Sequence, residues 1–135
     1  MFENSTKIRV RYGETDQMGY MYYGNYAEFY EVGRVEMLRS LGLTYAGMEA
    51  NGIMMPVMEM SCKYLKPARY DEEITIRVMM DKMPGVTIHF KYELYNEKQD
   101  LIHTGETLLC FVKMATMRPC LPDREFLAKL KPFFK

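Results

Sequence analysis

Residues 11–34 read RYGETDQMGYMYYGNYAEFYEVGR, and the signals of a loop and then a helix follow one another there without a gap. Gly13, Gly19 and Gly24, with Asp16 and Gln17 between them, make a tight polar loop in place of a regular element. Beyond it Tyr26, Phe29, Tyr30, Gly33, Met37 and Leu41 recur at helical spacing, so a helix starting near Gly24 or Asn25 carries one apolar face. Gly33 stands mid-face, where glycine costs about 1 kcal/mol against alanine. Its place there predicts close approach to another backbone layer.

Chemistry is expected at the junction of loop and helix. Asp16 is the only acidic residue between Glu14 and Glu28, and Tyr20, Tyr22 and Tyr23 come just before the helix. Asn25 is a candidate cap. The first N–H groups of a helix lack intrahelical acceptors and suit an anion or a developing oxyanion. A carboxylate beside them is placed to act as general base or nucleophile on a polarised carbonyl. The plainer account is that Asp16 closes an Asx turn while the tyrosines only pack.

A chain of 135 residues is enough for one domain of two layers. With 18 acidic and 18 basic residues there is no general field to attract nucleic acid or an anionic membrane. MFENSTKIRV lacks a signal-peptide pattern and no apolar run is long enough to span a bilayer, so a cytoplasmic protein is expected. Cys62, Cys110 and Cys120 form no C-x-x-C pair, so free thiols are expected in place of a disulfide framework or a zinc site.

In chain order, Thr6 to Tyr12 alternates as a first strand, with Ile8, Val10 and Tyr12 on one side. The helix runs to about Leu41 with Gly42 as its stop, and Thr44 to Ala50 is a short helical turn capped by Thr44. From Met54 the period becomes two: Pro56, Met58, Met60, Cys62 and Tyr64 share one face of a strand. Glu73 to Met80, Val86 to Tyr95 and Leu101 to Lys113 are further strands, the last with Gly105 as its expected bulge. Pro122 opens a short C-terminal helix that runs to Lys131. The order predicts an α+β fold, a curved antiparallel sheet wrapped around one long central helix. Apolar residues on both faces of the Met54 and Leu101 strands point to a second copy covering the sheet, hence a homo-oligomer.

The same residues resemble the hotdog-fold acyl-CoA thioesterases, in the branch of 4-hydroxybenzoyl-CoA thioesterase and the Tol-Pal-associated acyl-CoA thioesterase. RYGETDQMGYMYYGNYAEFYEVGR carries the resemblance, and PVMEMSCKYLKPARYDEEITI, the late strands and MRPCLP extend it over nearly the whole chain. It implies one hotdog domain over residues 1–135. Asp16 is then the catalytic carboxylate, with the backbone N–H of Tyr23 or Gly24 as oxyanion donor. The implied reaction is hydrolysis of an acyl-CoA, needing no metal and no cofactor beyond the coenzyme A of the substrate, in a homodimer or homotetramer. Many Tol-Pal-associated members carry histidine where this chain has Tyr23 and the 4-hydroxybenzoyl branch carries tyrosine, so the acyl group stays open; alanine is common in place of Gly33, a small-for-small structural change.

Around Asp16, Tyr20 and Tyr22 are expected to contact substrate. Lys63, Lys66 and Arg69 are the cations available to coenzyme A phosphates, with a solvated turn as the plainer account. Met58 and Met60 are candidates for an adaptable acyl tunnel, or else simple filling. The helical wheel turns Glu28 away from the core, and His89 and His103 read as surface or interface residues. Rival readings are an acyl-acyl carrier protein thioesterase, a hotdog dehydratase, which wants a histidine near Asp16, and a non-catalytic acyl-thioester binder.

Overall fold

The computed structural model describes residues 1–134. β1 (Phe2–Arg9) leads through a 3-10 turn at Tyr12–Glu14 and the glycine-rich loop to a second 3-10 turn at Tyr23–Asn25. From there the chain enters α1 (Tyr26–Ser40) and α2 (Tyr45–Ala50). Next come β2 (Ile53–Met54), β3 (Val57–Tyr64), β4 (Glu73–Met80), β5 (Thr87–Tyr95) and β6 (Leu101–Cys110). The chain closes with β7 (Val112–Lys113), β8 (Arg118–Pro119) and α3 (Arg124–Leu130). Five strands form an antiparallel sheet in the order β1, β4, β5, β6, β3, and β2, β7 and β8 form a small second sheet. This is the expected long helix on an antiparallel sheet.

Hydrophobic periodicity explains the layer contact. Ile74, Ile76, Val78 and Met80 of β4 and Ile88, Phe90, Tyr92 and Leu94 of β5 are buried on one side of the sheet. Tyr26, Phe29, Tyr30, Met37 and Leu38 of α1 belong to the same core. A Cβ on Gly33 would stand 2.6 Å from Val78 Cγ2 and 3.0 Å from Ile76 Cγ2, so the absent side chain sets the helix-to-sheet distance.

Several boundaries differ from expectation, each for a local reason. β1 begins at Phe2 and ends at Arg9, because the chain turns at Tyr12. The Met54 to Tyr64 stretch breaks at Pro56, which has no N–H for a ladder and instead accepts from Cys110 N–H at 3.1 Å. The Leu101 to Lys113 stretch breaks after Cys110, and its tail joins the small sheet. Gly105 is not a bulge: it pairs with Tyr92 and Cys62 in unbroken ladders, and its missing Cβ makes room for the Tyr30 hydroxyl. The bulges lie at Met58, between the Val57–Leu109 and Glu59–Leu108 pairs, and at Ile102, between His103 and Leu101. Thr44 caps α2 as expected, accepting from Gly47 N–H at 3.0 Å. At the C-terminal helix Asp123 is the cap in place of Pro122 as the opening residue, its carboxylate accepting from Glu125 N–H.

The sheet's outer face is polar, contrary to the apolar second face expected. Arg77 pairs with Glu3 and Glu93, and Lys91 with Asp81. Exposed apolar residues gather on β3 at the sheet edge: Val57 is 50%, Met58 57%, Met60 47% and Tyr64 50% exposed. The cause is that α1 packs mainly against β1 and β4, at the other edge of the sheet, and reaches β3 at Tyr64 through Tyr26. Among the described residues no helix is long and apolar enough to cross a membrane.

Candidate active site at the start of the central helix

The loop before α1 is held by its own backbone and by Glu14. The buried Glu14 carboxylate accepts from Arg11 N–H at 2.7 Å and from the Arg11 guanidinium at 3.3 Å. The Glu14 carbonyl accepts from Tyr22 N–H at 2.7 Å and from the Asn25 side-chain amide at 2.8 Å. Asn25 is therefore no cap; it ties the helix start back to the loop. On the other side Met21 N–H donates to the Ala68 carbonyl at 2.7 Å, and Tyr20 bridges to Arg69. The loop is thereby fixed against the segment that follows β3.

Asp16 sits at the turn of this loop. Its N–H donates to the Tyr20 carbonyl, and Gly19, with φ of +80°, returns an N–H to the Asp16 carbonyl. Carboxylate oxygen Oδ1 accepts from Met18 N–H at 2.9 Å, an Asx turn. Among the described residues Oδ2 has no hydrogen-bond or cation partner. The structural and chemical accounts of Asp16 are thus compatible, since one oxygen anchors the loop and the other is free.

Asp16 lines a cavity of about 260 Å³ together with Tyr20, Tyr23, Tyr26, Tyr64, Lys66 and the apolar Met18, Met21, Leu65 and Pro67. Asn25 is the residue of the opening 3-10 turn whose N–H reaches a carbonyl behind it, that of Tyr22 at 2.9 Å. The N–H groups of Tyr23 and Gly24 come before it, at positions where a helix supplies no acceptor. Gly24 is pressed under the Tyr22 ring, 2.7 Å from where a Cβ would be, so only glycine fits there without a shift. Tyr22 itself lies outside the cavity lining, its ring against Tyr23 at 4.6 Å.

The remaining candidate residues divide. Lys66 lines the cavity and pairs with Asp100 at 3.3 Å, while the Arg69 guanidinium lies over the Tyr20 ring, 5.0 Å from its centroid. Lys63 does not join them. It pairs with Thr104 on the outer face of the sheet and lines a polar hollow of about 580 Å³ there with Asp81, Lys91 and Glu93. Alternation along β3 sends Lys63 to the side opposite Tyr64. Met58 and Met60 are also absent from the cavity lining: Met58 is the bulge residue, and Met60 stands opposite Thr107 further along the edge strand.

His103 corrects the expectation of a surface or interface histidine. It is fully buried on the helix side of β6, its Nε2 hydrogen-bonded to the Tyr30 hydroxyl. Tyr26 stacks on its ring at 4.3 Å, and Tyr64 meets it edge-on at 4.9 Å. Burial lowers its titration to about 4, so it is neutral near pH 7. Nδ1 is buried with no partner among the described residues. His103 thus stands behind two tyrosines of the cavity wall. No sequence signal marked this, because the partners on Tyr26, Tyr30 and Tyr64 are remote along the chain. His89, by contrast, is exposed beside Glu106.

An antiparallel sheet packed on one long helix is the hotdog fold of thioester hydrolases. The family described as the thioesterase-like superfamily matches residues 10–130, and the chain belongs to it. Among its relatives the YneP protein of Bacillus subtilis is 36% identical over 128 residues, covering 91% of this chain and 93% of that one. The acyl-CoA thioester hydrolase YbgC of Escherichia coli is 30% identical over 124 residues, 92% of each chain. Among solved structures the DHNA-CoA thioesterase of Staphylococcus aureus superposes with a TM-score of 0.90 at 38% identity, covering 98% of this chain and 89% of that one.

Proposed function

We propose that this chain hydrolyses acyl-CoA thioesters to the free acid and coenzyme A. The observation that carries the reading is that Asp16, whose Oδ2 has no partner among the described residues, and Tyr23 of the turn that opens the central helix line the same largely apolar cavity. In this reading the thioester oxygen is received by the N–H of Tyr23, which lines the cavity as Gly24 does not, and negative charge develops there next to the positive end of α1. Asp16 attacks the carbonyl carbon or takes a proton from the attacking water. Coenzyme A leaves as a thiolate, whose low basicity relative to an alkoxide asks for little acid assistance. Lys66 and Arg69, beside the cavity, are the cations for the phosphates of the carrier. The four tyrosines of the lining, and the 38% identity to a protein described as a DHNA-CoA thioesterase, favour an aromatic acyl group.

The working unit is a homodimer in this reading. β3 presents an open sheet edge and half-exposed Val57, Met58, Met60 and Tyr64, a combination that invites strand pairing. Antiparallel pairing of two β3 edges brings the start of one strand beside the end of the other. Met58 and Met60 of the second copy then approach the cavity that Tyr64 lines, which restores the substrate contact expected of them.

Thiol release from aromatic and aliphatic acyl-CoAs, with the same acyl groups on acyl carrier protein, tests the reading. Turnover is expected on the coenzyme A esters, fastest with aromatic acyl groups. Hydrolysis of the carrier-protein esters alone would contradict it, as would binding without turnover.

A further inference from the structure

One backbone carbonyl, that of Glu14, joins the two halves of the candidate site. It accepts from Tyr22 N–H at 2.7 Å and from the Asn25 side-chain amide at 2.8 Å. Asn25 also donates its backbone N–H to the Tyr22 carbonyl at 2.9 Å. The peptide unit that links Tyr22 to Tyr23 is therefore held at its carbonyl by Asn25, and the N–H just before it is held by Glu14. The N–H of that same unit belongs to Tyr23, which lines the cavity with Asp16. Asp16 in turn lies two residues beyond Glu14, on the same loop. Accepting the roles proposed above for Asp16 and the Tyr23 N–H, we infer that Asn25 is a positioning residue, which sets the spacing between the carboxylate and the oxyanion donor.

The local structure suits that task. Glu14 is a fixed post, since its buried carboxylate accepts from Arg11 N–H at 2.7 Å. The next residue is pinned as well, because Thr15 donates both its N–H and its hydroxyl to the Tyr12 carbonyl. Asn25 spends its amide on this post and makes no cap to its own helix, although capping is what asparagine commonly supplies at a helix start. The tie thus does nothing for the helix ladder and runs only between the helix start and the loop. Near-attack geometry is exacting, and a shift of about 1 Å between reacting groups can cost on the order of 100-fold in rate.

The test measures kcat and KM on the best acyl-CoA for wild type, Asn25→Ala, Asn25→Asp, Asp16→Asn and the double variant Asp16→Asn with Asn25→Ala. Melting temperature and calorimetric binding of coenzyme A accompany them. Asn25→Asp keeps the shape of the side chain and removes the donor. Both Asn25 variants are expected to fold, to bind coenzyme A as wild type does, and to lose roughly 10- to 100-fold in kcat. In the Asp16→Asn background Asn25→Ala is expected to cost only about threefold or less, because no carboxylate is left to misplace. Wild-type kcat in the Asn25 variants, or a loss confined to KM or coenzyme A binding, overturns the inference while leaving the thioesterase reading intact. The same fold-loss in both backgrounds also overturns it, as does failure of both Asn25 variants to fold, since Asn25 would then serve the fold and not the spacing. No turnover by wild type on any thioester, or full turnover by Asp16→Asn, fails the underlying reading, and this inference with it.

Discussion

At His103 the cost of desolvating a charge ties the stability of the fold to pH. The ring titrates at about 4 in the folded chain and at about 6.5 when unfolded. Below 6.5 the unfolded chain gains a proton that the folded chain refuses. The stabilisation is therefore complete above 6.5 and is lost as pH falls toward 4, by on the order of 3 kcal/mol. Urea unfolding of wild type and His103→Gln at pH 7 and pH 4.5 checks this. Wild type is expected to lose more stability over that interval than the variant, and equal losses would show that another group is responsible. The same residue shows where sequence reasoning stops. The inward positions of β6 are His103, Gly105, Thr107 and Leu109, and only the last has the apolar character by which an inner face is recognised. The polar ones are accommodated by Tyr30 and Tyr92, whose hydroxyls reach His103 and Thr107. Such pairing depends on residues more than seventy positions apart in one case, and no local pattern encodes it.

Elements were legible where one side chain, or its absence, dominates the local physics. The apolar stripe of α1, the alternation of β4 and β5 and the cap at Thr44 all follow from periodicity and short-range hydrogen bonding. Gly33 belongs with them, as close approach to a second layer was implied by its place on the stripe, and Val78 and Ile76 are the residues it meets. Gly33→Ala should gain about 1 kcal/mol in helix propensity but lose about 1–3 kcal/mol to overpacking against two stiff β-branched side chains. A lower urea midpoint is expected, and a higher one would mean that the layers can separate freely. What stayed hidden were the bulges at Met58 and Ile102, because a slip of one residue leaves composition unchanged. Within the candidate site the loop motif pointed to Asp16 and the tyrosines, but the division of Lys63 from Lys66 required the register and the end of β3. Glu14 was passed over as well. It is an ordinary acid in the sequence, and its role as the peg under the loop depends on the turn that buries it.

Across the whole molecule, the polar outer sheet and the apolar β3 edge predict where a second copy joins. Met60→Asp sets a charge at a half-exposed position of the β3 edge that is not part of the described core. Analytical ultracentrifugation should show dimer for wild type and monomer for the variant, with thioester turnover lost along with the dimer. A monomeric wild type would refute this assembly. The central claim concerns Asp16, and kcat for wild type and Asp16→Asn on the preferred acyl-CoA tests it most directly. Asparagine retains the oxygen that accepts from Met18 N–H, so the loop and the melting temperature should be preserved. Loss of the carboxylate should lower kcat by about 100-fold or more. A folded Asp16→Asn protein that hydrolyses the substrate at the wild-type rate would contradict the account.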